Sequence, residues 1–302
     1  MSKRIPRIGI LNPLKEADAR DLWNALKREL EELGYAEGKD IEFIWRFADR
    51  KFERLPKLAG ELIAHEVDII VPANPPAIHA AKAATTTVPI VFPVGSDPVE
   101  TGLVSSMEHP GGNITGMASM SRLHSQPRLA LVRECMPTAR RVALLRHSAN
   151  PALNLQVEAS RAAAPELRFE VLVLDYAAAE EIEQAFNAAR RHAADAMLPL
   201  SDPALGNLKR IAALSMEYRI PVISPFREIT NAGGLLSYGP DLSILFRRAA
   251  SLIDQILRGA RPGDLPIGQP TEFELAANLS AARALNVVIP TSILSRATHV
   301  IE

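Results

Sequence analysis

Asp68-Ile69-Ile70-Val71-Pro72-Ala73-Asn74-Pro75-Pro76-Ala77-Ile78 reads as a buried strand running straight into a capped helix. Ile69, Ile70 and Val71 form a short continuous apolar run of the kind found in parallel sheets covered on both faces. Asn74 is a helix N-cap by residue type, and prolines fit the first helical turn because their missing N–H has no intrahelical partner there. A short helix over Ala77 to Ala84 then leads to another apolar run, Pro89-Ile90-Val91-Phe92. A strand, a helix and a parallel strand form one βα crossover.

The same unit repeats in both directions. Ahead of it lie the strand Ile8-Gly9-Ile10-Leu11, a helix from Ala17 to Leu33 with Leu22, Leu26, Leu30 and Leu33 on one face, a strand from Ile41 to Trp45, and a helix marked by Leu55, Leu58, Leu62 and Ile63. The pattern pauses at Pro110-Gly111-Gly112-Asn113, a turn-rich stretch, and restarts with a helix from about Leu123 to Cys135. Further strands follow at Arg141–Leu145, Phe169–Leu174, Ala196–Leu200, Pro221–Ser224 and Gly234–Ser237, and then a helix from Leu242 to Leu257. Two successive sets of βα units predict two doubly wound α/β lobes with parallel sheets. We place residues 1–119 and 242–269 in the first and 120–241 and 270–302 in the second.

Composition narrows the function. The chain has 302 residues, 47% hydrophobic and 23% charged, which is ample for two cores. A net charge of −1 with dispersed Lys and Arg argues against nucleic acid, which wants a concentrated basic face. Cys135 is the only cysteine, so neither an intramolecular disulfide nor a cysteine zinc cage is possible; its helical setting predicts a buried, inert thiol. No metal site is expected, because the seven histidines show no His-Glu-x-x-His pairing. No Gly-x-Ser-x-Gly elbow, Gly-Lys-Ser/Thr phosphate loop or Gly-x-Gly-x-x-Gly turn occurs, so no cofactor and no catalytic residue is expected. No run reaches a membrane span. The N-terminus lacks a secretory apolar region, which leaves a cytosolic chain or a mature form whose export signal has been removed.

In open parallel sheets ligands bind beyond the carboxyl ends of the strands. Those positions here carry Asn12-Pro13, Asn74-Pro75-Pro76, Ser96-Asp97-Pro98, Asn150-Pro151, Ser201-Asp202-Pro203, Phe226-Arg227 and Tyr238. Five of them are a polar cap followed by proline. Taken singly, each has a sufficient explanation as plain capping; their recurrence in both halves points to ligand-facing ends offering amides and cap side chains to a carboxylate or hydroxyl. Arg227 suits either a carboxylate clamp or an ion pair with Glu228, and Tyr238 either a ligand wall or a cover near the lobe connection.

The segments Leu33-Gly34-Tyr35, Thr87-Val88-Pro89-Ile90-Val91-Phe92, Gly95-Ser96-Asp97-Pro98, Pro110-Gly111-Gly112-Asn113-Ile114-Thr115-Gly116, Gly233-Gly234-Leu235-Leu236-Ser237-Tyr238-Gly239-Pro240-Asp241 and Gln269-Pro270-Thr271-Glu272-Phe273 stand out as distinctive. Together they resemble the ABC-transporter substrate-binding family that includes tryptophan- and tyrosine-binding proteins of bacterial importers. The resemblance runs in order from Ile8 to Glu302. It implies a type I periplasmic-binding-protein fold with three hinge crossings. The implied ligand cleft is lined by Asn12, Asn74 to Pro76, Ser96 and Asp97 from one lobe and by Asn150, Ser201, Asp202, Phe226 and Tyr238 from the other. With it come a monomeric extracytoplasmic protein, a membrane permease as partner, and an amino acid or small aromatic carboxylate as ligand. Two rivals are a cytosolic α/β enzyme using Asp97 or Asp202 as acid or base, and the ligand-sensing core of a regulator.

Overall fold

The computed structural model describes residues 4–202 and 208–302, with backbone only at 17–19. The chain divides into two compact units, Met1–Met120 with Asp241–Thr271 and Ser121–Pro240 with Glu272–Glu302. It therefore passes from one unit to the other three times.

The first unit begins with β1 (Arg7–Asn12), α1 (Glu16–Glu32), β2 (Glu42–Phe47), α2 (Leu55–Ala64), β3 (Ile69–Pro72), α3 (Pro75–Ala84), β4 (Ile90–Gly95) and β5 (Ile114–Ala118). Its five strands are parallel, in the order β2-β1-β3-β4-β5. Ile10 stands between Trp45 and Val71 in register, so apolar residues line up across the sheet. Leu58, Leu62, Ala77, Ile78 and Ala81 from α2 and α3 close over Ile70, Ile90 and Phe92.

The strand β5 lies where the sequence reads as a pause. Gly111 and Gly112 both adopt positive φ, 74° and 62°, and release the chain into it. Gly116 sits opposite Phe92, and only a residue without Cβ fits there.

The second unit continues with α4 (Ser125–Cys135), β6 (Arg141–His147), α5 (Asn154–Ala163), β7 (Glu170–Tyr176), α6 (Ile182–Arg191), β8 (Ala196–Pro199), α7 (Leu208–Tyr218), β9 (Ile223–Ser224), α8 (Arg227–Asn231) and β10 (Leu236–Pro240). The helix α9 (Leu242–Leu257) then belongs to the first unit, capped by the Asp241 carboxylate on the Ser243 N–H at 2.7 Å. It packs on α1, with Trp23 edge-on to Phe246 at 5.1 Å. The chain closes in the second unit with β11 (Phe273–Asn278), α10 (Leu279–Leu285), α11 (Thr291–Leu294) and β12 (His299–Ile301).

The second unit departs from the expected run of parallel strands. Its strands form β7-β6-β8 and β12-β11-β10-β9, linked by a single bridge from Met197 to Val222. The chain leaves the unit at Pro240 and returns at Glu272, and Phe273 lies opposite Pro240. A strand starting there can only run back along β10, so β11 is antiparallel. The tail from 270 to 302, in which local sequence marks no element, thus supplies two strands.

Cys135 is buried at the end of α4, and burial together with Glu134 pushes its thiol up to about 12. A thiol needs its thiolate to react. Native protein at pH 8 is therefore expected to leave a disulfide reagent such as DTNB unreacted, with one equivalent released after unfolding in guanidinium; rapid native labelling would contradict this burial.

Candidate functional site

In the first unit three strand ends lie side by side. β1 and β3 are neighbours through Leu11 and Pro72, and β4 follows β3 in the sheet. Asn12, Asn74, Ser96 and Asp97 are all buried along this edge, with Pro75 buried and Pro76 half-buried behind Asn74.

Asn12 closes a tight turn: its Oδ1 accepts from the Leu14 N–H at 3.0 Å. Asn74 caps α3, its Oδ1 accepting from the Ala77 N–H at 3.4 Å. Its backbone is held at φ 71°, ψ 160°. Pro75 demands the extended ψ, while the positive φ disfavours any residue with a Cβ. Such a conformation costs about 1–3 kcal/mol and collects at functional positions.

In both residues the oxygen serves the local turn, and the amide nitrogen is left over. Nδ2 of Asn12 and Nδ2 of Asn74 are buried with no hydrogen-bond partner. The second unit repeats the arrangement at the end of β6. Asn150 accepts from the Ala152 N–H at 3.2 Å, and its Nδ2 too is buried without a partner.

A fourth capping asparagine shows what satisfaction looks like. Asn278 accepts from the Ala281 N–H at 2.8 Å and donates Nδ2 to the Thr230 carbonyl at 3.0 Å. Buried donors in folded proteins are almost always paired. The three unpaired amides can each donate one more hydrogen bond, to an acceptor oxygen such as that of a carboxylate or hydroxyl.

Asp97 is buried, and no helix follows β4: the Asp97 carbonyl anchors a turn by accepting from Thr101 N–H and Oγ1, both at 2.9 Å. The Ser96 carbonyl accepts from the Met120 N–H at 2.9 Å.

In the second unit β6 and β8 are neighbours through Leu145 and Pro199, which brings Asn150 and the Ser201–Asp202 segment to one edge. The Asp202 carboxylate is buried 3.6 Å from His147 Nδ1. Pro203, the next residue of that motif, lies outside the described residues. Phe226 is buried, its N–H donating to Ser224 Oγ at 3.0 Å.

Arg227 does not pair with its neighbour Glu228. Its Nη1 meets Glu274 Oε1 on β11 at 2.8 Å and His299 Nε2 on β12 at 2.8 Å. Tyr238 stacks on Phe273 at 5.9 Å, with His124 edge-on at 6.2 Å. Glu274, His299 and Phe273 all belong to the returning tail, whose path local sequence does not reveal.

Two residues that sequence reasoning passed over stand under the Ser201–Asp202 segment. Arg128 on α4 is fully buried and Gln156 on α5 equally so. Burial pulls the Arg128 guanidinium down to about 10. A polar residue on an amphipathic helix gives no local sign that it faces inward.

Two α/β units joined by three chain crossings have the fold of the type I periplasmic binding proteins. The model of the ABC transporter substrate-binding protein family matches residues 7–301, and the chain belongs to that family. It is 25% identical over 286 residues to a tyrosine-binding protein of Clostridioides difficile, covering 95% of this chain and 82% of that one. Among solved structures, a conserved domain protein of Vibrio cholerae matches with a TM-score of 0.92 at 23% identity, over 98% of this chain and 100% of the other. An ABC domain of Streptococcus pneumoniae in complex with L-Trp matches with a TM-score of 0.91 at 22% identity, over 99% and 100%. Among the described residues no helix is long and apolar enough to cross a membrane.

Proposed function

We propose that this chain captures a free amino acid, an aromatic one first of all, or a small aromatic carboxylate, and hands it unchanged to the membrane permease of an ABC importer. The observation that carries this reading is the set of unpaired amide donors. Acceptor oxygens of the ligand take Nδ2 of Asn12 and Asn74, and Asn150 offers the same chemistry on the second unit. A hydrogen bond to a carboxylate is worth about 1.5–3 kcal/mol. The preference for an aromatic amino acid draws on the tyrosine-binding relative and the L-Trp complex. The protein works as a monomer outside the cytoplasm, the setting in which a permease is loaded.

The test is a thermal-shift screen with L-tyrosine, L-tryptophan, benzoate, 4-hydroxybenzoate, tyrosinamide, ribose and adenosine. A ligand that binds only the folded state raises Tm by mass action. Ring-bearing carboxylates are expected to raise it, and tyrosinamide and ribose are not. The bound compound should be recovered unaltered after denaturation. A response to sugars or nucleosides alone, or conversion of any ligand to a product, would overturn the proposal.

A further inference from the structure

We propose that Arg128 and Gln156 are positioning residues that lock the Ser201–Asp202 segment in the conformation it offers to ligand. The inference rests on the reading that this segment is ligand-facing.

The Gln156 side chain pairs reciprocally with the backbone of a single residue. Ser201 N–H donates to Gln156 Oε1 at 2.8 Å, and Gln156 Nε2 donates to the Ser201 carbonyl at 3.2 Å. A neighbouring strand would make this pair of bonds within a sheet. Here β8 has already ended at Pro199, and a side chain takes over. Gln156 is itself anchored, its carbonyl accepting from Ser160 Oγ at 2.7 Å and Ser125 Oγ at 3.3 Å.

Arg128 completes the bracket. Its Nη2 donates to Gln156 Oε1 at 3.4 Å, its Nη1 to the Pro199 carbonyl at 3.3 Å, and its Nε to the His124 carbonyl at 3.1 Å. One arm of the guanidinium holds the strand end, and the other holds the amide that holds Ser201. Every one of these acceptors is neutral.

A buried cation among neutral acceptors is a poor way to stabilise a core, since an apolar side chain of similar volume does as well or better. What the planar fork supplies, and an apolar residue cannot, is direction. Several acceptors are fixed at once, and Ser201 is held beyond the last strand bond, which the Leu200 N–H makes to the Leu145 carbonyl at 3.0 Å. A segment ordered in advance loses less entropy when ligand arrives.

The experiment compares Gln156→Met with Val157→Ala, a cavity variant of the adjacent buried residue, at matched loss of Tm. Affinity for L-tyrosine is read by calorimetry, and exchange of the Ser201 amide by hydrogen–deuterium exchange without ligand. Gln156→Met is expected to weaken binding roughly tenfold or more and to speed Ser201 exchange about 100-fold, while Val157→Ala stays within about twofold on both. Equal affinity losses in the two variants, or unchanged Ser201 exchange in Gln156→Met, would overturn the proposal. Should Gln156→Met not fold, Gln156→Asn keeps the amide but withdraws it by one methylene and serves the same comparison. If the wild-type protein binds no aromatic carboxylate, the functional reading falls, and the exchange measurement, which needs no ligand, still decides the bracket.

Discussion

Asn74→Asp is expected to weaken binding of L-tyrosine at pH 8 by about 100-fold or more, and to regain much of it as the pH falls. The substitution keeps the cap, because aspartate accepts from the Ala77 N–H as well as asparagine does. Its effect is confined to the second atom, where the donor Nδ2 becomes a carboxylate oxygen facing the ligand's own. Loss of a hydrogen bond to a charged group, about 1.5–3 kcal/mol, combines with like-charge repulsion, and every 1.4 kcal/mol is about tenfold.

The pH dependence comes from burial. Residue 74 is fully buried, so desolvation raises the new carboxyl's pKa above the usual carboxylate range. Below that raised value the neutral carboxyl carries a proton and can donate as the amide did, so the binding loss shrinks with falling pH. The same shift makes the unliganded variant less stable at pH 8 than at pH 5, the folded state binding more protons than the unfolded one. Calorimetry at pH 8, 6.5 and 5 reads both effects. A loss of affinity independent of pH, or none, would remove Asn74 Nδ2 from ligand contact. Asn278→Asp is the control, since its Nδ2 is already spent on the Thr230 carbonyl. It is expected to lower stability by about 1–3 kcal/mol and leave affinity unchanged.

Gly116→Ala carries the largest expected effect on folding. A Cβ there would stand 2.3 Å from the Phe92 carbonyl oxygen and 2.5 Å from the Phe92 ring. No rotamer change moves a carbonyl. The strand cannot shift outward freely either, because the Gly268 N–H holds the Gly116 carbonyl at 2.9 Å. Overpacking of a tight core costs about 1–3 kcal/mol, and this backbone clash belongs at or beyond the upper end. In a unit of this size that lowers Tm by roughly 6 to 12 °C. Calorimetry should show the first unit's transition moving and the second unit's staying in place. A Tm within about 2 °C of wild type would mean that β4 and β5 yield far more readily than their register suggests.

Much of the fold was legible in the order of the residues. The strands around Ile10, Ile70, Val91 and Leu144 and the helix Leu242–Leu257 announce themselves because burying a parallel strand or an amphipathic helix needs apolar residues at fixed local spacing. The strand β5 did not, because Gly116 must stay small to pass Phe92, which removes the signal that marks a strand. The reversal at β11 did not either, since its direction depends on where the chain re-enters the unit.

Sequence by itself determined that this chain builds two runs of βα units, that it belongs among substrate-binding proteins, and that Asn74 and Asn150 cap the turns beyond their strands. Capping reaches only two or three residues along the chain, so local order suffices to write it. Tertiary structure alone decided which caps keep a donor to spare. Asn74 and Asn278 each hold a helix with the side-chain oxygen, yet only Asn278 finds a carbonyl for its nitrogen, on Thr230, 48 positions away. The same holds for Arg227, whose partners Glu274 and His299 arrive with the returning tail, and for Arg128 and Gln156, which meet Ser201 only once helices and a strand end distant in sequence have been packed together. Whether a buried polar atom is satisfied depends on groups far away along the chain, and no reading of its immediate neighbours can supply them.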